Sequence, residues 1–373
     1  MKCDYLVVGA GFFGCVLAER LANDAGARVF VIDKRSHIGG NCHSQEDAET
    51  GIEFHTYGTH VFHTSSRHVW EYINKFTEFN GYRHQVLTVH KGRVYQLPIN
   101  LATINSFYNL KLAPGEAREF LKQETRAAGI RKPRNLEEEA ISKVGRPLYE
   151  ALIRGYTTKQ WNKDPRELPP EIIDRLPVRY NYDNGYFPNG RWQGIPLKGY
   201  TRVFERMLGS PRIQVRLDCD FFRHRDDFRV KCKTVYTGPI DRYFDFAHGR
   251  LEWRSVEFDR EVRPEQDFQG TSVMNYADLD VPFTRIHEPR HLHPEREYRK
   301  DRTIVFYERP KEDVDDPYYP VNTPDNQSLL AKYTDLALRE RNVIIGGRLG
   351  TYAYYDMDRT ILAALECYRE TFR

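Results

Sequence analysis

Apolar and polar positions follow two rhythms along this chain. Residues 4–8 (DYLVV) make a short, mostly apolar run that stops at Gly9-Ala10-Gly11-Phe12-Phe13-Gly14. Val16, Leu17, Ala18, Leu21 and Ala22 then recur at helical spacing, and RVFVID (28–33) is a second strand-like run that closes on an acid. From about residue 100 to 180 the spacing is helical: INLATINSFYN, EAREFLKQETRAA after Pro114-Gly115, and LEEEAISKVGRPLYEALIRGYTTKQW. Residues 181–199 read as loop and TRVFERML as a short helix. IQVRLDCDF (213–221) alternates as a half-exposed strand, and KTVYTGPID (233–241) is a strand that ends in a Thr-Gly-Pro turn. Short β-rich runs (WRSVEF, TSVMNYA, TIVFYE) fill 243–308 and predict an antiparallel sheet. A linker rich in Asp and Pro (312–325), a helix at 327–339, the strand NVIIGG and a last helix, DRTILAALECYRE, complete the chain.

The opening pattern, strand–glycine turn–helix–strand–acid, is the setting that a dinucleotide requires. Gly9 permits the tight turn, Gly11 lets a pyrophosphate approach the backbone, and Gly14 lets the helix pack against the strand. The pyrophosphate then rests on free N–H groups at the helix N-terminus, and Asp33 takes a ribose hydroxyl. In KRSHIGGN (34–41) a basic pair and then Gly39-Gly40 follow the acid, which favours FAD over NAD. The fold expected is α/β: a discontinuous Rossmann-like FAD-binding domain (1–80, 190–242 and 326–373) with two insertions. One is a helical substrate domain with a mobile loop (81–189), the other an antiparallel sheet domain (243–325).

Bulk composition narrows the function. With 373 residues the chain exceeds one small core. Its 56 basic and 53 acidic residues nearly cancel, which argues against nucleic-acid binding. No apolar stretch reaches membrane-spanning length. Asp4 falls where a signal peptide would be apolar, so a cytoplasmic protein is expected. Six cysteines (Cys3, Cys15, Cys42, Cys219, Cys232, Cys367) show no CxxC pair and imply neither a disulfide framework nor a zinc site. His55, His60 and His63 in IEFHTYGTHVFH have too little carboxylate company for a metal site, so no metal is expected. Aromatic residues reach 13 %, many of them in loops where they could stack on a flat ligand. In GGRLGTYAYYDMD (346–358) a helix N-terminus near Asp358 would aim positive partial charge at the flavin N1–C2=O end, and Arg348 would add a full charge. Tyr352, Tyr354 and Tyr355 are crowded there beyond what a surface cap needs.

These motifs, with GYTTKQW (155–161), LPVRYNYDNGYF (176–187), VPFTRIHE (281–288) and DPYYPVN (316–322), resemble the UDP-galactopyranose mutase family over almost the whole chain. The resemblance implies an isomerase that interconverts UDP-galactopyranose and UDP-galactofuranose through a covalent flavin N5–galactose adduct. Such an enzyme needs reduced FAD, an external reductant such as NAD(P)H or a reductase, and no net redox; a homodimer is expected by analogy. Arg175, Arg285 and His63 would be catalytic, the arginines by holding the diphosphate. Tyr156 would stack on uracil with Thr157 and Trp161 near the ribose, and Asn275 would lie on the uridine-phosphate side. Tyr186, Phe187, Tyr319, Tyr354 and Asp356 would line the diphosphate and sugar side. The implied flavin site comprises Gly9, Gly11, Phe12, Gly14, Asp33, Lys34, Gly40, Asn41, His60, Arg348, Tyr354, Asp356 and Met357. Asp33 stands where many relatives have glutamate, and Leu152 and Ile153 where some have aromatic residues. Two other readings share the cofactor domain: an FAD-dependent oxidoreductase of the amine-oxidase type, and a non-catalytic nucleotide-sugar binding protein. Neither accounts for both the flavin and two arginines facing a diphosphate.

Overall fold

The computed structural model describes residues 1–173, 177–187, 190–311 and 316–372. Five parallel strands form one sheet, in the order Val343–Ile345, Arg229–Tyr236, Lys2–Val8, Val29–Ile32, Ile213–Arg216. The central strands carry β-branched residues buried on both faces, as a covered parallel sheet requires. Between the first two lies the helix Phe12–Asn23. It is buried nearly all round rather than on one face, because Tyr200–Met207 and Met357–Phe372 share its core. Its one acid inside, Glu19, is compensated by hydrogen bonds from the Tyr72 hydroxyl (2.8 Å), Asn23 (2.9 Å) and Arg20.

The second sheet has seven strands, in the order Tyr319–Pro320, Trp253–Arg263, Thr303–Lys311, Arg285–His287, Val273–Tyr276, Val86–His90, Arg93–Leu97. All pairs are antiparallel except Val273–Tyr276 with Val86–His90. The sheet thus recruits a hairpin from residues 86–97, and the helical stretch begins only at Leu101. Helices Leu101–Tyr108, Pro114–Ala127 and Leu136–Val144 enclose a core of their own. It continues through a π-helical turn, Tyr149–Arg154, into the helix Gly155–Trp161. Asn100 and Asn135 cap two of these helices by accepting from the N3 backbone N–H. The helix Pro324–Ala337 starts three residues before its expected position, with Thr323 as its cap.

Candidate functional site

The carboxyl ends of the parallel strands open onto a cleft of about 1510 Å3 that runs to the seven-stranded sheet and the helix Gly155–Trp161. At its floor Gly9 has φ +108°, and a Cβ there would lie 1.9 Å from Thr237 Oγ1. A Cβ on Gly14 would sit 2.0 Å from the Gly9 carbonyl oxygen, so helix and strand meet only through glycine. Gly11 is different: the nearest atom to its Cβ would be Gly40 Cα, at 3.9 Å. The room beside Gly11 belongs to the cleft. No side chain caps the helix at Gly11, which leaves first-turn N–H groups for an anion. Asp33 accepts from Ala10 N (2.8 Å) and Arg35 N (2.9 Å), and so ties the glycine turn to the end of its own strand. Phe12, Lys34, Gly40, Asn41, His60, Arg348 and Met357 line the same cleft, with Arg35 bonded to Asn41 (2.9 Å) and to Asp316 (2.7 Å).

Arg348 donates to the Tyr318 carbonyl, but its buried Nε has no hydrogen-bond partner among the described residues. An uncompensated guanidinium N–H and a glycine-lined anion cradle in one cleft fit an extended, anionic dinucleotide cofactor. Burial, with Arg348 adding its charge, holds His60 down to about 4, so this imidazole is neutral, and its Nδ1–H donates to Gly58 O (2.8 Å). His63 stacks on Phe187 (centroids 3.6 Å apart) and reaches Asp356 at 3.8 Å. The last helix starts at Met357, and Asp358 accepts from Thr64.

On the opposite wall Arg285 is the central cation. Its guanidinium contacts the Tyr156 hydroxyl and lies 3.3 Å from Glu308. Glu308, 2 % exposed, also bonds His287 Nε2 (3.0 Å) and Thr284 Oγ1 (3.0 Å), and His287 Nδ1 bonds Thr59 (2.8 Å). Burial works against the Glu308 charge, yet Arg285 and His287 outweigh it and hold the carboxyl down at about 2. Burial likewise opposes the Arg285 charge, and Glu308 raises its pKa well above normal. Tyr319 stacks on Tyr354 (5.9 Å), and Tyr186 packs edge-on against Phe187 and His84. Thr157 and Asn275 are buried, and Asn275 Oδ1 has no partner among the described residues. Trp161 shares this part of the cleft with Leu152 and Ile153.

The structure therefore gathers the described candidates around one cleft. Arg175 lies outside the described residues. Tyr352 departs from expectation: it sits in the left-handed region (φ 49°), packs against Trp253, and bonds Glu252 O and the Val321 backbone. Tyr352 holds the turn, and only Tyr354 and Tyr355 of the trio line the cleft. Sequence reasoning missed Glu308, His287, Thr59 and His84. For Glu308 a signal existed, since an acid two positions from Phe306 and four from Ile304 in a strand shares their buried face.

Comparison with known proteins agrees with this geometry. Residues 151–354 match the family described as UDP-galactopyranose mutase, and residues 7–76 match the NAD(P)-binding Rossmann-like domain. A probable UDP-galactopyranose mutase of Klebsiella pneumoniae is 41 % identical over 364 residues, 97 % of this chain and 93 % of that protein. A dTDP-fucopyranose mutase of Escherichia coli is 38 % identical over 97 % of this chain and 96 % of its own length. The solved structure of a reduced UDP-galactopyranose mutase superposes with a TM-score of 0.77 at 14 % identity, covering 100 % of this chain and 95 % of the other, a likeness of fold.

Proposed function

The chain belongs to the UDP-galactopyranose mutase family and is an isomerase, and from that premise we propose that it interconverts the pyranose and furanose forms of UDP-galactose, with FAD in its reduced state as cofactor. The observation that carries the reading is Arg285, a half-buried, permanently charged guanidinium facing a glycine-lined dinucleotide cradle across one cleft. Reduced flavin, when bound, supplies a nucleophilic nitrogen for the anomeric carbon and is regenerated at the end of each cycle, so no net redox occurs.

The chain's own residues do the rest. Arg285 neutralises the departing diphosphate with charge-assisted bonds, and Glu308 fixes the plane of its guanidinium. Tyr156, Thr157, Trp161 and Asn275 hold the nucleoside, while Tyr186, Tyr319, Tyr354 and Asp356 surround the sugar. The unpartnered Nε of Arg348 and the cradle of Gly9, Gly11 and Gly14 hold the cofactor. His63 and Phe187 stack face to face on the wall of the cleft. We assign a homodimeric, cytoplasmic enzyme that draws electrons from an external reductant such as NAD(P)H or a reductase. Among the described residues no helix is long and apolar enough to cross a membrane.

A yellow protein reduced by dithionite should convert UDP-galactofuranose through many turnovers without consuming reductant, and should be inactive when oxidised. Full activity in the oxidised enzyme overturns the nucleophilic role of the flavin. Because a dTDP-fucopyranose mutase is nearly as similar, the same assay is run with dTDP-fucofuranose. A preference for that sugar moves the substrate assignment but leaves the reaction class.

A further inference from the structure

The loop that joins the Asn275 strand to the Arg285 strand is gathered around a single ammonium group. Lys159, on the helix Gly155–Trp161, points its Nζ at four backbone carbonyl oxygens of this loop. The distances are 2.8 Å to Tyr276, 2.8 Å to Asp278, 3.1 Å to Val281 and 2.9 Å to Phe283. An ammonium has three protons, so one is shared between two of the carbonyls. The Asp278 carboxylate is engaged elsewhere, by His90 Nδ1 (2.6 Å) and Lys91 N (2.7 Å). The partners of Lys159 here are carbonyl oxygens, the ligand type that replaces a monovalent cation's hydration shell in protein sites.

A second observation puts the same helix face on the same loop. Gly155 lies one turn before Lys159, and a Cβ on it would be 2.1 Å from Ala277 O. Helix and loop thus meet without a side chain at 155 and with a full charge at 159. The other face of the helix carries Tyr156, Thr157, Gln160 and Trp161 into the cleft. The loop's two stems carry Asn275 and Arg285, which are register partners. One lysine therefore sets the spacing between the two walls of the candidate nucleotide site.

We propose that Lys159 is a positioning residue, an internal cation that docks the Gly155–Trp161 helix on the Tyr276–Phe283 loop, and that the carbonyl cage it fills becomes a monovalent-cation site when the side chain is shortened. The spacing fits potassium or ammonium, whose preferred oxygen distances the cage already presents; lithium is too small to span it. For its link to nucleotide binding the proposal rests on the function assigned above.

The test uses flavin-loaded Lys159→Ala, with UDP affinity measured by calorimetry and thermal midpoint measured alongside. Both are read in lithium, potassium and ammonium chloride at equal ionic strength. In lithium the variant should bind UDP roughly ten- to a hundredfold more weakly than wild type, since several bonds to a charged group are lost together. Potassium or ammonium should recover most of that loss and raise the midpoint, while wild type shows no such preference. Lys159→Arg should not recover, because a planar guanidinium cannot occupy the cage. UDP affinity in the alanine variant equal to wild type overturns the positioning role, and a loss that no cation repairs overturns the cage. Should wild type itself fail to bind UDP, the functional assignment falls, and the midpoint's cation dependence still decides the fate of the cage. If the alanine variant does not fold, Lys159→Ser, which likewise empties the cage, carries the same comparison.

Discussion

Glu308→Gln isolates the electrostatics of the candidate site, because it keeps the shape and removes the charge. Two routes from the structure give the expected magnitude. At 3.3 Å, the Arg285–Glu308 attraction is about 5 kcal/mol for an effective dielectric of roughly 20. The displacement of the Glu308 carboxyl from 4.5 to about 2 corresponds to about 3 kcal/mol, with burial already subtracted. Both fall in the range of about 3–5 kcal/mol seen when one partner of a buried pair is removed. The carboxyl pKa is lower in the folded chain than in the unfolded one, so its stabilisation is complete above 4.5 and is lost as pH falls from there towards 2. Urea denaturation of wild type and Glu308→Gln should therefore differ by about 3 kcal/mol at pH 7. The gap should shrink steadily below pH 4.5 and nearly close by pH 2. A gap that is absent at neutral pH, or that stays constant down to pH 2.5, would mean that the carboxylate is not held ionised by Arg285 and His287.

The two glycines of the fingerprint should fail differently. Gly11→Val should fold and be colourless, because its side chain occupies only the cleft, whereas Gly14→Ala should lose stability, since its Cβ meets the Gly9 carbonyl at 2.0 Å; circular dichroism and flavin absorbance separate the two. Arg348→Ala should make the flavin harder to reduce, because a positive charge beside a developing anion is lost. A redox titration checks this, and equal potentials would confine Arg348 to its bond with the Tyr318 carbonyl.

How much of this was legible depended on how local the cause was. The strand–glycine–helix–acid unit could be read because each glycine answers to atoms within a few residues or to the ligand itself. Even there, the collision of a Gly9 Cβ with Thr237 is invisible from position 9. The hairpin of Val86–His90 and Arg93–Leu97 went unread inside the expected helical domain 81–189, and its parallel pairing with Val273–Tyr276 is a long-range fact that periodicity does not encode. Tyr352 had the residue type of a ligand contact and the backbone of a turn; its φ of 49° and buried ring follow from the packing of Trp253. Lys159 reads as one more charge on a helix. Only the fold brings four carbonyls from residues more than a hundred positions away to meet it. Tyr156, Arg285 and Tyr319 were found because their motifs resemble a known family, not because any rule of spacing joins residues 156, 285 and 319.

The position of the strand Val343–Ile345 has a consequence for biosynthesis. It pairs with Arg229–Tyr236, and the glycines that follow it press directly on Phe13, so closely that a Cβ on Gly346 would lie 2.4 Å from the ring. The cradle started by the first fifteen residues is thus finished by residues that leave the ribosome more than three hundred codons later. Until then the sheet presents an unpaired edge at Arg229–Tyr236, and the cleft proposed to hold the cofactor is unfinished. On the function proposed above, cofactor loading is expected to follow synthesis, and a chain truncated before residue 343 should be colourless and association-prone.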